Sequence, residues 1–334
     1  MLAAACTCCT PAQEYNAPEK KAETQQVAFA KGADVSWLTQ MEMEGHSFKN
    51  KAGETTECMT LLRDDCGVNA IRLRVWVNPV EGWNSKDDVV AKARRADALG
   101  LAVMIDFHFS DTWADPGNQN VPAAWASHNI DALEKDVKAH VTDVLSALKD
   151  YGVTPQWVQI GNETRGGMMY PLGQYGNGSN FARLVNSGYD AVKAVCPEAQ
   201  VIIHLDSGDR MDLYDRIFGY LASNEGKYDM IGMSFYPDAD KWEASTTTLV
   251  DNIKAVNSKY GKPVMICEIG MEWSEGAKCK AMIGKIISEF GTGASILKGI
   301  FYWEPQAPAG YNGGYSKGCF SGGAPTEALD AFLQ

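Results

Sequence analysis

The 334-residue sequence is short of basic residues: 30 Lys and Arg stand against 42 Asp and Glu, a net charge of -12. Such a chain repels phosphate backbones and anionic lipid surfaces, which argues against nucleic acid or charged membranes as partners and leaves a neutral polymer acceptable. No stretch approaches the roughly 18 unbroken apolar residues of a membrane-spanning helix. The first apolar run leads into Asp34-Val-Ser-Trp-Leu38 and not into a glycine-rich phosphate turn, which counts against a doubly wound dinucleotide fold. Histidine is scarce, five in all, and no third ligand stands at metal spacing beside His108 and His204. Cysteine is not scarce but is scattered. Cys6, Cys8 and Cys9 crowd the N-terminus, whereas Cys58, Cys66, Cys196, Cys267, Cys279 and Cys319 lie far apart, a pattern that fits an exported protein better than a metal protein. Cys267 sits in an apolar run and reads as a buried thiol. Cys279 and Cys319 follow the last two expected strands, where neighbouring loops could let them bridge, and the sequence leaves that pairing open.

What is present begins with Met1-Leu-Ala-Ala-Ala-Cys6, small residues before a cysteine, similar to the end of a bacterial lipoprotein signal. Thr7 to Gln26, with Pro11, Pro18 and several Gln, Glu and Lys, reads as a flexible tether. The expected organisation is therefore a tether over 1–26 and one catalytic domain over 27–334. The protein is expected to be exported, as an envelope lipoprotein anchored through Cys6 or as a secreted monomer.

From there to the C-terminus, strand-length apolar runs recur eight times, at 31–37, 70–76, 102–108, 157–163, 200–206, 230–237, 263–270 and 299–305. Helix-period segments at 54–66, 87–99, 128–150, 179–195, 210–224, 245–260, 277–290 and from about 325 alternate with them. Gly67, Gly100, Gly152, Gly261 and Gly291 each end such a segment. Near-continuous apolar strands such as VIIHL require a sheet covered on both faces, and strict alternation requires a parallel one. Eight units in about 300 residues predict an α/β fold, a single closed (β/α)8 TIM barrel.

In such a barrel chemistry sits where the strands end. Arg72, Arg74 and Trp76 end strand two, Asp106 and His108 strand three, and Asn162 and Glu163 strand four. His204 and Asp206 end strand five, Tyr236 strand six, Glu268 strand seven, and Trp303 and Glu304 strand eight. Polar groups converging on one rim are costly unless they serve a purpose. Glu163 and Glu268 face one another across the mouth, and two opposed carboxylates are what retaining glycoside cleavage needs, one attacking the anomeric carbon and one carrying the proton. Arg74 is expected to fix an ionised Glu268, Asn162 to reach a sugar 2-hydroxyl, and Tyr236 to hydrogen-bond the nucleophile. His108 and His204 are candidates for sugar hydroxyl contacts or for orienting the glutamates, and Trp303 for a flat platform under the reacting sugar.

These residues resemble the endo-β-1,4-galactanases of glycoside hydrolase family 53. The carriers are Gly32-Ala-Asp-Val-Ser-Trp37, Arg72-Leu-Arg-Val-Trp76, Asp106-Phe-His-Phe-Ser-Asp-Thr-Trp-Ala-Asp-Pro116 with Gln119, Gln159-Ile-Gly-Asn-Glu163, Tyr236-Pro237, Glu268-Ile-Gly270 and Tyr302-Trp-Glu-Pro305. The resemblance implies hydrolysis of β-1,4-galactan or type I arabinogalactan, with Glu163 as acid/base and Glu268 as nucleophile. It also implies sugar contacts from Arg74, His108, Asp111, Trp113, Asn162, His204, Asp206, Tyr236 and Trp303. Segment 270–276 is short and lacks the acidic cluster with which some bacterial relatives hold calcium, so neither metal nor other cofactor is expected. The Gly- and Tyr-rich stretch from Gln306 to Ala324 departs from the usual loop. Another β-1,4-glycanase, a mannanase or cellulase, and a surface lipoprotein that binds glycan without cleaving it are the competing readings.

Overall fold

The computed structural model describes residues 26–293 and 296–334. Eight parallel strands close into a barrel: β1 (Ala30–Asp34), β2 (Ala70–Val75), β3 (Ala102–Phe107), β4 (Trp157–Ile160), β5 (Gln200–Leu205), β6 (Met230–Phe235), β7 (Val264–Ile269) and β8 (Leu297–Trp303). Each pairs with its neighbours in sequence, and β8 returns to β1, with Asp34 beside both Trp303 and Arg72. Among the described residues seven helices of nine residues or more cover the outside: α1 (Cys58–Cys66), α2 (Lys86–Ala98), α3 (Ile130–Asp150), α4 (Asn180–Val195), α5 (Met211–Ser223), α6 (Trp242–Tyr260) and α7 (Gly276–Phe290). This is the (β/α)8 barrel that the alternation predicts. The eighth helical segment is a 3-10 turn, Glu327–Leu333. The first helix starts later than its periodicity suggests, because Thr55–Thr56 pair with Phe48–Lys49 in a small antiparallel ribbon.

Strand residues that point outward, such as Ile71, Leu73, Val103 and Ile105, pack under the helices. The inward set forms a separate plug of Ala30, Ala70, Ala102, Met104, Trp157, Ile202, Met230, Met265, Cys267 and Phe301 at the bottom of the barrel. Small residues there make room for large ones. A Cβ on Gly32 would stand 2.2 Å from Cδ1 of Phe301, so the ring fixes glycine at that position. Gly67 and Gly261 end α1 and α6 in the left-handed conformation, φ 73° and 65°, which a side chain would disfavour.

Above the plug the inward positions turn polar, and that layer is the floor of the site. Cys267 is a buried thiol as expected. Cys279 and Cys319 are also buried free thiols, so the bridge left open by their sequence positions is not formed; Cys279 Sγ lies 3.9 Å from the Tyr302 hydroxyl. Cys6 and nearly all of the 1–26 tether lie outside the described residues. Among the described residues no helix is long and apolar enough to cross a membrane.

Candidate active site

Glu163 and Glu268 reach the same cleft by different backbone devices. In β7 the pairing with β6 slips between Met233↔Ile266 and Ser234↔Glu268, and this bulge lets Glu268 face the barrel mouth directly after the inward Cys267. Glu163 lies just past β4 with φ 48°, a left-handed conformation that costs a non-glycine residue about 1–3 kcal/mol and that surrounding structure must enforce. Phe109, Ser207 and Glu304, also just past strands, share it.

The cleft, about 430 Å³, is lined by both glutamates with His108, Trp113, Asn162, Tyr236 and Trp303, and also by Ala114, Asp115, Tyr315 and Lys317. Seven of the expected residues therefore meet. An adjoining cavity of about 300 Å³ takes in Glu163, Asp206, Ser207, Ser234 and Tyr236 but not Glu268.

The two carboxyl groups have different surroundings. Glu268 Oε1 lies 3.0 Å from Arg72 Nη1 and Glu268 Oε2 accepts a 2.8 Å bond from the Tyr236 hydroxyl. Burial holds Glu268 above its ordinary value, and Arg72 and Tyr236 offset only part of that rise. Among the described residues Glu163 has no cation in contact; its hydrogen-bond partner is the Ser234 hydroxyl at 2.7 Å. Burial and the neighbouring Glu268 together hold it well above the ordinary carboxylate range. Of the pair, Glu268 ionises first and Glu163 keeps its proton.

Arg72, not Arg74, is the cation beside the nucleophile candidate, a correction to the expectation. Both point inward from β2. Arg72 sits one layer deeper, where its guanidinium also meets Asp34 at 2.8 Å, Asp106 at 2.8 Å and Asn162 Oδ1 at 3.0 Å. Arg74 turns instead to Glu304 at 2.6 Å and is capped by Trp113, 4.4 Å from its ring centre, and by Trp37. It is buried, does not line the cleft and packs against the aromatic wall. Burial pushes Glu304 up to about 7 despite Arg74.

Three further candidates have protein partners of their own. His204 is fully buried and reaches Glu163 only through Ser234, its Nε2 lying 2.8 Å from Oγ. His108 lines the cleft, but Nδ1 accepts from the Trp76 indole N–H and the Ala114 amide while Nε2 donates to Asp106, leaving no ring nitrogen for a sugar hydroxyl. Asp111 accepts the amides of Asn78 and Ala123 and so pins a loop outside the cleft lining. Asp206 belongs to the adjoining cavity, paired with Arg165 at 3.1 Å and with Oδ1 unpartnered. Asn162 is held from four sides, by Arg72, Gln159, His204 and the Ala114 carbonyl, which fixes its amide orientation.

Sequence reasoning gave no role to Arg72 beyond its strand-end position, and none to Ser234, Gln159, Tyr315 or Lys317. Arg72 carried a signal, an arginine in an inward register; Ser234, a small residue in the apolar run MIGMSF, carried none. Among the described residues no group of three His, Cys, Asp or Glu is arranged to hold a metal ion.

The family model "Glycosyl hydrolase family 53" matches residues 30–325. The chain belongs to glycosyl hydrolase family 53. An arabinogalactan endo-β-1,4-galactanase A of Emericella nidulans is 35% identical over 304 residues, 82% of this chain and 84% of that protein. The arabinogalactan endo-β-1,4-galactanase of Thermothelomyces thermophilus is 33% identical over 300 residues, 82% of this chain and 89% of that one. A solved chain from a study of two fungal β-1,4-galactanases superposes with a TM-score of 0.84 at 30% identity, covering 92% of this chain and 100% of its own. As a family 53 member the protein is a glycoside hydrolase, and its barrel agrees with that of the solved relative.

Proposed function

We propose that this enzyme hydrolyses internal β-1,4-galactosidic bonds of galactan or type I arabinogalactan with retention, using Glu268 as nucleophile and Glu163 as acid/base. The observation that carries the reading is the unequal setting of two carboxyls in one cleft: Glu268 against Arg72 and Tyr236, Glu163 half-buried with only a hydroxyl. Ionised Glu268 attacks the anomeric carbon while protonated Glu163 gives its proton to the leaving oxygen; ionised Glu163 then takes a proton from the water that releases the sugar. Because the leaving sugar departs from the acid's side, the cavity that touches Glu163 but not Glu268 is the leaving-group side, and Asp206 is proposed to meet that sugar there. Trp303 and Trp113 supply apolar faces on which the reacting sugars stack. Galactan as the substrate is supported by the names of the similar enzymes from Emericella nidulans and Thermothelomyces thermophilus.

The test is product release from galactan, β-mannan and cellulose, with the anomer of the first product read by proton NMR. Galactan should be the substrate turned over and the β-anomer should appear first. Turnover confined to mannan or cellulose, or an α-anomer first, overturns the reading. A cleft complete within one chain supports action as a monomer. Export, with lipid attachment at Cys6 where the chain is anchored, rests on Leu2 to Cys6, and radiolabelled palmitate incorporation lost in Cys6→Ser tests it.

A further inference from the structure

The Ser234 hydroxyl has one hydrogen and two claimants, Glu163 Oε1 at 2.7 Å and His204 Nε2 at 2.8 Å. Which of them receives it follows from proton counting. Gln159 Nε2 has two hydrogens and faces Asp106 Oδ1 at 2.6 Å, Asn162 Oδ1 at 3.0 Å, His204 Nδ1 at 3.0 Å and the Gly161 carbonyl at 3.2 Å, so it does not fix the His204 tautomer; the contact of His204 with Asn162 does. Asn162 Oδ1 is an acceptor, because its Nδ2 donates to the Ala114 carbonyl. His204 Nδ1, 2.9 Å from that oxygen, therefore carries the ring hydrogen and Nε2 is bare. Burial and Arg72 hold His204 well below its usual range, so no second ring proton is available.

We infer that Ser234 and His204 form a hydroxyl switch that matches both states of Glu163. Between turnovers, protonated Glu163 donates its O–H to Ser234 Oγ and the Ser234 hydrogen goes to His204 Nε2. Once Glu163 has given up its proton, the Ser234 hydroxyl rotates to donate to the carboxylate and Nε2 is left without a donor. The bare imidazole thus competes for the hydrogen bond that the carboxylate needs, which favours the protonated form between turnovers. Both are positioning residues that act through Glu163, and the inference rests on Glu163 as the acid/base of the proposed reaction. The other charged groups facing Glu163 are Glu268, Asp206 and, more remotely, Arg72. They are unchanged in the variants below.

The two partners predict opposite shifts. Ser234→Ala removes the donor to the carboxylate, so the Glu163 pKa rises and the alkaline limb of kcat/KM moves up by about one pH unit, the worth of one hydrogen bond to a charged group. His204→Phe frees the hydroxyl for Glu163, so the limb moves down. Ser234→Thr keeps the hydroxyl and should restore the parent limb. Carbon-13 titration of the Glu163 carboxyl in unmodified protein and Ser234→Ala reads the same shift without turnover, so it stands even if Glu163 has another catalytic role. A Ser234→Ala protein slower at every pH with an unmoved limb and titration, or the two variants shifting in the same direction, overturns the inference. If His204→Phe does not fold, the Ser234→Ala and Ser234→Thr pair alone decides it.

Discussion

Replacing Arg72 with Met tests how the polar floor of the barrel is held. Three carboxylates depend on this guanidinium, Asp34 and Asp106 at 2.8 Å and Glu268 at 3.0 Å, and Arg72 is 1% exposed, so no water can replace it readily. Removing one partner of a buried ion pair costs about 3–5 kcal/mol. At this chain size each kcal/mol lowers Tm by about 2 °C, a fall of about 6–10 °C at pH 7. The sign with pH follows from Asp106, which burial pushes up but which Arg72 and His108 bring below its ordinary value. In the parent, Asp106 stabilises the fold above its unfolded pKa, and that contribution is lost as pH falls through the folded value. In Arg72→Met burial acts with less opposition, the folded pKa rises above the unfolded one, and stability is lost as pH rises. Melting curves of parent and variant should therefore differ most near pH 7 and converge toward pH 4. An equal fall at both pH values, or a larger one in acid, would refute the reasoning.

Tyr236→Phe should lower kcat and move the acid limb of kcat/KM upward, because the ionised Glu268 loses its 2.8 Å donor; a pH profile with an unmoved acid limb would remove Tyr236 from that role. Trp113→Ala should weaken galactan cleavage by about 1–3 kcal/mol in kcat/KM through lost stacking, and unchanged kinetics in folded protein would return the ring to support of Arg74 alone. Chelator-treated enzyme should keep its turnover, since the loop after β7 is tied to the loop after β8 by Glu272, which accepts from Ser316 at 3.0 Å and pairs with Lys317 at 3.2 Å. Loss restored by calcium would contradict this.

The barrel was legible because its eight strands are apolar almost throughout and its helices end at glycines whose backbone, as at Gly67 and Gly261, needs the left-handed region. The glutamate pair was legible for the same reason: each ends an apolar strand. Arg72 and Arg74 were not separable, because residues two apart on a strand share a face, and which of them meets Glu268 depends on barrel stagger and on the bulge at Cys267. Histidines at strand ends announced a polar site but not their depth; His204 lies beneath Glu163, behind Ser234. Tyr315 and Lys317 enter the cleft from a stretch without periodicity, held by long-range contacts such as the 2.9 Å bond from the Tyr302 hydroxyl to the Lys317 carbonyl. Local pattern carries no trace of such contacts.

The assignment of roles to Glu163 and Glu268 is tested most directly by azide rescue on an aryl galactooligosaccharide with an activated phenol. Such a leaving group needs no protonation, so Glu163→Ala should form the glycosyl-enzyme, stall at its hydrolysis, and be rescued by azide to give a β-galactosyl azide. Glu268→Ala should be inert toward the polymer and yield no β-azide. A β-azide from Glu268→Ala, with Glu163→Ala inert on the activated substrate, would contradict the account and exchange the two roles.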